Sequence, residues 1–147
     1  MASRHQAREM AFQLVYEWSL NEEAFYDEHR IKKYWLERSE GDNPREEDNL
    51  NFYKRVLKGV ANFLPQIDQR LETSIENWSM KRLDRVDLAV LRLAVYELLY
   101  DTDQDRPDDA VIINEAIELS KKYGGQDSPS FINGVLDKIS KGHLERI

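Results

Sequence analysis

The chain has 147 residues, enough to bury a continuous core, and we expect one domain across residues 1–147. It contains no cysteine, which excludes disulfide bonds, thiolate zinc sites and cysteine-based catalysis. It also lacks a long uncharged apolar run and a segment like a signal peptide, so we expect a soluble cytoplasmic protein.

The charge distribution matters more than the total. A net charge of −7 argues at first against a nucleic-acid partner, because phosphate binding normally requires a basic surface. Residues 21–51 contain ten acidic and five basic residues, and residues 101–109 contain five acidic residues and one basic residue. These two segments carry −9, which leaves +2 on the rest of the chain. A basic RNA surface is therefore compatible with the acidic total if both segments lie away from it.

The N-terminal half predicts helices interrupted by one loop. Residues 4–20 place apolar residues at steps of three and four, which is the pattern of an amphipathic helix. A second, less regular helix is predicted over 22–37, and the run 39–44 has no apolar residue and is predicted to be a loop. The apolar stripe returns over 50–64, and Pro65 is predicted to begin a separate, shorter helix.

The C-terminal half predicts three further helices. Residues 86–100 are apolar around most of the helix circumference, which indicates a central, mostly buried helix. The acidic turn 101–109 leads into a helix that ends near Gly124. Ser128 as N-cap and Pro129 at the first helical position predict the start of the last helix. No strand pattern is present, so the sequence predicts an all-α fold of about seven helices.

The sequence contains no recognisable catalytic or metal-binding motif. The three histidines, His5, His29 and His143, are far apart, and none forms a helical pair of metal ligands. Glycine-rich phosphate loops, nucleophile elbows and dinucleotide motifs are absent from the sequence. We therefore expect neither catalysis nor a bound metal or cofactor.

Basic residues occur at two predicted helix starts. Arg4 and Arg8 are one turn apart and share a face with His5 beside them, which suits phosphate binding; the alternative is a solvated helix start. Arg82 and Arg85 precede the central helix. They either extend a basic surface or form exposed ion pairs with nearby carboxylates, which contribute about 0–1 kcal/mol.

Three further residues each allow two interpretations. Phe131 lies just inside the last helix and is either a core residue or an exposed aromatic that stacks on an RNA base. Tyr16 is either half-buried in the core or part of a protein interface, where tyrosine is favoured. Its position makes Asp87 a first-turn acid that favours the helix dipole, and its second interpretation rests on a family resemblance.

Two blocks of sequence resemble a known family. They are residues 112–119, Ile-Ile-Asn-Glu-Ala-Ile-Glu-Leu, and residues 128–137, Ser-Pro-Ser-Phe-Ile-Asn-Gly-Val-Leu-Asp. The likeness continues through residues 82–98 and appears near the N-terminus at Arg4, Ala7, Arg8, Ala11, Val15 and Tyr16. Outside residues 21–51 the chain resembles the NusB family of transcription antitermination factors.

This resemblance implies a fold of two packed helical subbundles and a non-catalytic role. Family members bind single-stranded boxA RNA together with a small-subunit ribosomal protein, and the complex joins elongating RNA polymerase at ribosomal RNA operons. By resemblance, Tyr16 and Asp87 are expected to meet the ribosomal protein. The expected RNA-binding residues are Arg4, His5, Arg8, Arg82, Arg85, Asp127, Ser128 and Phe131.

Other residues of the signature are interpreted as structural. Asn114 and Asn133 are expected to satisfy backbone groups where helices meet, and Gly134 is expected to permit close helix contact. Glu97 and Glu115 are expected to form hydrogen bonds or ion pairs of the same structural kind.

Two other functions remain open. Some ribosomal RNA cytosine methyltransferases carry a NusB-like domain, but this sequence has no cofactor-binding segment or catalytic cysteine. The second alternative is a helical protein that associates with itself as a homodimer and has no role in RNA binding. Light scattering across a concentration series separates it from a monomer.

Overall fold

A computed structural model describes residues 3–20, 26–39, 46–79 and 82–145. These residues form six α-helices and one π-helical turn and contain no strand, so the all-α prediction is confirmed. None of the helices in these ranges is long and apolar enough to cross a membrane. In chain order the elements are α1 (Arg4–Leu20), α2 (Glu28–Arg38), α3 (Glu46–Ser74), α4 (Arg85–Val95), the π-helical turn (Tyr96–Tyr100), α5 (Asp109–Tyr123) and α6 (Ser128–Glu145).

Helix α4 lies at the centre, as its apolar circumference predicts, and every residue from 87 to 95 is buried. Helices α1 and α3 pack against it on one side, and α5 and α6 pack against it on the other. Helix α2 is joined to α3 by Tyr53, whose hydroxyl donates to the Ile31 carbonyl at 2.7 Å and whose ring lies 5.0 Å from that of Trp35. Two helical groups therefore share α4. The predicted loop lies outside the described residues apart from Ser39.

The predicted helix break at Pro65 is wrong. Helix α3 continues through this proline for 29 residues. Pro65 is exposed, whereas Val60, Ile67 and Leu71 are buried along the same core-facing stripe. A proline removes one backbone hydrogen bond and disturbs the preceding turn. Because Pro65 lies on the solvent side, the apolar residues before and after it keep their helical phase and hold α3 together.

A π-helical turn connects α4 to the acidic segment. Its free carbonyls are satisfied by Arg106, whose guanidinium donates to the backbone oxygens of Glu97 and Leu98 at 2.9 Å each. The same guanidinium donates to the Asp109 carboxylate at 2.6 Å. Carbonyls at a helix end need such partners when they are buried. Arg106 therefore ties the end of the central helix to the start of α5.

The starts of α4 and α6 are capped differently. Asp84 is the N-cap of α4, and its carboxylate accepts the backbone N–H groups of Val86 and Asp87 at 2.8 and 3.3 Å. The predicted N-cap, Ser128, is instead the first residue of α6. Its hydroxyl accepts the N–H of Gly125 at 3.1 Å, in the preceding turn. The Ser128 side chain therefore fixes the turn before α6 and leaves the cap position to the residue before it.

Candidate nucleic-acid interface

At the starts of α4 and α6, the Ser128 hydroxyl lies close enough to the Asp87 carboxylate to favour its ionised form. Both residues are buried, with 7 % and 8 % of their surface exposed. The second carboxylate oxygen, Oδ1 of Asp87, has no hydrogen-bond partner among the described residues. The two side chains place the first turn of α6 beside the start of α4. This burial does not fit the expectation that Asp87 and Ser128 are presented directly to a partner or to RNA.

Four of the expected RNA-binding residues surround this junction at the surface. Arg82 and Asp127 are exposed, and Arg85 and Phe131 are half-buried. Within the described part of the chain, no ion pair joins either arginine to a carboxylate. The packing of α4 against α6 therefore places these residues on two helix starts that are far apart in sequence.

The Asp87 carboxyl is electrostatically unfavourable in its ionised form. Burial raises its pKa above the ordinary value of 3.8, the Ser128 hydrogen bond opposes this effect, and the nearby Asp84 charge adds to it. Because the pKa of Asp87 is higher in the folded state, its ionisation lowers the stability of the protein when the pH is above the ordinary pKa. This loss of stability disappears when the pH falls below the ordinary pKa.

Asp87→Asn is therefore expected to gain stability relative to the natural sequence as the pH rises. The amide cannot ionise, so it avoids the cost that the carboxylate meets above its ordinary pKa. The measurement is urea unfolding of both proteins at several values between about pH 3 and pH 7. A constant difference in unfolding free energy across this range would contradict the prediction.

A second group of expected RNA-binding residues lies at the start of α1. The Nε of Arg4 donates to Oδ1 of Asn49 at 3.2 Å, and its guanidinium lies 4.4 Å from the ring centroid of Phe52. Burial and the nearby positive charges of other arginines lower the pKa of Arg4. Nδ1 of His5, whose side chain is about half exposed, is 2.7 Å from Oε2 of Glu115. Arg4 and His5 are thus held in place on the surface.

Arg8 was expected to contact RNA at the surface, but its side chain is buried. Only 3 % of it is exposed, and its Nε and Nη2 donate to the two carboxylate oxygens of Glu97 at 3.0 and 2.7 Å. Nη1 lies 3.7 Å from Oε2 of Glu115. Burial alone would lower the pKa of Arg8, but the Glu97 hydrogen bond and the charges of Glu97, Glu115 and Asp101 outweigh it and raise the pKa. The expectation of direct RNA contact does not fit this buried ion pair.

Phe52 lies among the arginines at this end of the molecule, and its role was not predicted from the sequence. Its fully buried ring has the guanidinium groups of Arg4, Arg8 and Arg55 at 4.4, 4.8 and 5.4 Å from its centroid. Arg55 also lies 3.3 Å from the Asp101 carboxylate. Cations over an aromatic face are attracted by its quadrupole. One ring therefore contacts both the half-buried Arg4 and the buried Arg8.

Helix α5 connects the two groups of residues. Near its middle, Glu115 holds His5, and near its end, Lys122 and Tyr123 both bind Oε1 of Glu9, at 2.7 and 2.6 Å. The eight residue steps from Glu115 to Tyr123 span about 12 Å of helix. Since α6 follows after a four-residue turn, the surface shared by α1 and α5 runs from the first group to the second.

The remaining expected partner contact, Tyr16, lies in a groove of about 390 Å³ between α1 and α2. Tyr16 is half-buried beside Phe12, with ring centroids 6.4 Å apart. Leu20 lines the same groove and is 60 % exposed. The hydroxyl of Tyr34 donates to Oε1 of Gln13 and closes one wall. The groove combines apolar and hydrogen-bonding groups, as protein interfaces do.

The structural interpretation of the signature residues is partly confirmed. Glu97 and Glu115 both form ion pairs, as expected. The expectation for Gly134 is wrong, since a Cβ atom there would meet only open space. Asn114 and Asn133 are both exposed. Among the described residues, no group of three or more histidine or carboxylate side chains is arranged to hold a metal ion.

Comparison with known proteins identifies the family. The model of the NusB family matches residues 5–141. The chain belongs to the NusB family. Transcription antitermination protein NusB of Clostridium tetani is 40 % identical, and the alignment covers 94 % of this chain and 97 % of the relative. The NusB protein of Nitratiruptor sp. is 42 % identical, with 96 % and 94 % covered.

Solved structures of NusB proteins share the fold. T. maritima NusB superimposes with a TM-score of 0.78 at 31 % identity, over 95 % of this chain and 92 % of that one. A chain from a crystal structure of antitermination factors NusB and NusE in complex with dsRNA gives a TM-score of 0.77 at 26 % identity, over 95 % and 96 %. The prediction of a NusB-like fold is confirmed.

Proposed function

We propose that this chain is a single-domain transcription antitermination factor that binds boxA single-stranded RNA together with a small-subunit ribosomal protein. The complex then joins the RNA polymerase elongation complex and promotes processive transcription of ribosomal RNA operons. This places the protein in the cytoplasm, and we assign it no catalytic step. The observation that carries the proposal is the alignment of nearly the whole chain with relatives named as transcription antitermination proteins.

The geometry supports different roles for the expected RNA-binding residues. Phe131 offers an aromatic face for a base, and Arg82 and Arg85 offer cations for phosphates. Arg4 and His5 extend the surface at the other end of α5. Exposed Asp127 lies beside Phe131 and has oxygen acceptors for base amino groups.

The expected binding residues that are buried contribute by holding the surface residues in position. The Ser128 hydroxyl lies beside Asp87 and accepts the N–H of Gly125, so it positions the first turn of α6, which leads to Phe131. Arg8 supports the Phe52 ring over which Arg4 lies. We therefore assign Arg8, Ser128 and Asp87 to positioning rather than to direct contact.

The ribosomal protein is expected to dock on the α1–α2 groove around Tyr16. Leu20 gives this groove an exposed apolar contact, and Tyr16 gives it a ring and a hydroxyl. A basic partner also supplies positive charge that an acidic chain lacks, so a joint surface attracts RNA more strongly than this chain alone.

The direct test is fluorescence anisotropy with labelled boxA RNA and a scrambled RNA. Each is titrated with the protein alone and with an equimolar small-subunit ribosomal protein, at about 50 and about 200 mM salt. Selective binding that tightens with the partner and weakens with salt is expected. If the folded protein with its partner binds both RNAs equally, or neither, the proposed function is wrong.

Phe131→Ala is expected to weaken boxA binding about 5- to 150-fold, because stacking of one base on an aromatic ring contributes about 1–3 kcal/mol. Phe131 is half-buried, so lost packing has to be separated from lost stacking. Phe131→Leu retains apolar volume without an aromatic face, and Phe131→Tyr retains the ring. We expect Leu to lose affinity like Ala and Tyr to retain it, by anisotropy. Equal affinity of the Leu and Tyr variants would argue against stacking.

A further inference from the structure

A basic groove lies between the end of α3 and α6. It has a volume of about 630 Å³ and is open to solvent. Arg70 lines it from α3, and Asp137, Lys138 and Lys141 line it from α6. None of these residues belongs to the surface assigned above, so the groove is a separate feature of the fold.

The groove carries an excess of positive charge. Lys141 pairs with Asp137 at 2.9 Å, which balances one cation. Lys138 donates to the backbone oxygen of Ser74 at 3.3 Å and so keeps its full charge. Arg70 has no carboxylate within ion-pair distance in the described part of the chain. Among the described residues that line the groove, the cations Arg70, Lys138 and Lys141 outnumber the carboxylate Asp137, which suits a ligand with several negative charges in a row.

Two glycines of α6 give this groove room. Gly134 has open space where a side chain would stand, so the helix backbone is accessible there. At Gly142 a Cβ atom would lie 3.3 Å from Nη2 of Arg70. A side chain at either position would narrow the groove, whereas glycine leaves a path for a ligand beside the guanidinium group.

The groove continues the RNA surface. Phe131, Gly134, Lys138 and Lys141 recur at steps of three and four residues, so they follow one face of α6. The Lys138 contact with Ser74 places the end of α3 beside this face. At the start of α4, Asp87 lies beside the first turn of α6. A strand of RNA that stacks on Phe131 can therefore follow α6 into the groove.

We propose that this groove binds the phosphodiester backbone of the nucleotides that flank the boxA element, through Arg70, Lys138 and Lys141. The proposal rests on the proposed function and extends its RNA footprint. Phe131 and Lys141 are ten residues apart, or about 15 Å of helix, which matches about four stacked nucleotides at 3.4 Å each. Since only phosphates are contacted, this binding is independent of the flanking sequence.

The test compares a core boxA RNA with two longer RNAs that carry about four extra nucleotides at the 5′ or the 3′ end. The groove variant is Arg70→Ala/Lys138→Ala/Lys141→Ala. The matched control, Lys32→Ala/Lys58→Ala/Lys121→Ala, removes three exposed lysines of α2, α3 and α5 outside the groove. All proteins are titrated with the small-subunit ribosomal protein present, at several salt concentrations, after thermal unfolding has shown that they are equally folded.

We expect one of the longer RNAs to bind the natural protein more tightly than the core RNA does. The groove variant should bind the core RNA with normal affinity but should not bind the longer RNA more tightly than the core RNA. Its slope of log K against log salt for the longer RNA should fall by about 2, since each phosphate contact on a single strand contributes about 0.7. The control variant should keep both the extra affinity for the longer RNA and the salt dependence of its binding.

Unchanged affinity and slope for both longer RNAs, with core binding intact, would overturn the groove proposal alone. Failure of the natural protein to bind the core RNA would overturn the proposed function and this inference with it. Calorimetric titration of the ribosomal protein into the groove variant, without RNA, covers the remaining outcome. If partner affinity falls while RNA affinity does not, the groove binds a protein and the proposal is wrong.

Discussion

Glu97→Ala is expected to lower the free energy of unfolding by about 3–5 kcal/mol, the cost of leaving one member of a buried ion pair without its partner. Glu97 is 1 % exposed and Arg8 is 3 % exposed. In the variant the Arg8 guanidinium keeps Glu115, at 3.7 Å, and the Phe52 ring. Neither replaces two short charge-assisted hydrogen bonds. Urea unfolding measures the loss.

Two further variants separate the pair from its surroundings. Arg8→Met/Glu97→Leu replaces both charges with apolar groups and is expected to recover much of the loss, since such replacements of a buried pair are often neutral. Arg30→Ala removes an exposed arginine that pairs with Glu17, and it should cost no more than about 1 kcal/mol. If Glu97→Ala is no more harmful than Arg30→Ala, the buried pair is not important for stability.

This ion pair also shows where sequence reasoning was limited. The spacing of Arg4 and Arg8 correctly predicts that they share a helix face, because both guanidinium groups lie over Phe52. The spacing does not tell how far along the face solvent reaches. A signal was present in Glu97, an acid within the most apolar stretch of the chain, since a buried carboxylate needs a cation. That cation is Arg8.

Long-range pairing explains most of the other differences. Local pattern was sufficient for α4, whose burial follows from its own composition. It was insufficient at Pro65, where the packing of Ile67 and Leu71 overrides a local helix-start signal. It also failed at Gly134, because the sequence does not say which neighbour faces a glycine. The groove between α3 and α6 could not be predicted for the same reason, since Arg70 and Lys138 are 68 positions apart.

The close helix approach that the sequence placed at Gly134 occurs at Gly59 instead. A Cβ atom built on Gly59 would lie 2.0 Å from Cε1 and 2.1 Å from Cζ of Tyr96. The Tyr96 ring is 5 % exposed, and Phe63 packs on it with ring centroids 6.3 Å apart. It therefore has little space to turn away. Tyr96 also begins the π-helical turn that contains Glu97, so displacing it disturbs the backbone of the Arg8 ion pair.

Gly59→Ala is accordingly expected to lower the free energy of unfolding by about 1–3 kcal/mol, the usual cost of overpacking a core, although alanine is the better helix former. Gly134→Ala is the matched control: the same change in open space on α6 should stabilise the protein by about 0.5–1 kcal/mol. Urea unfolding of both variants tests the opposite signs. Tyr96→Ala in the Gly59→Ala background should relieve the clash, so the two losses should be less than additive. Additive losses, or a stabilising Gly59→Ala, would show that the Tyr96 ring does not require glycine at this position.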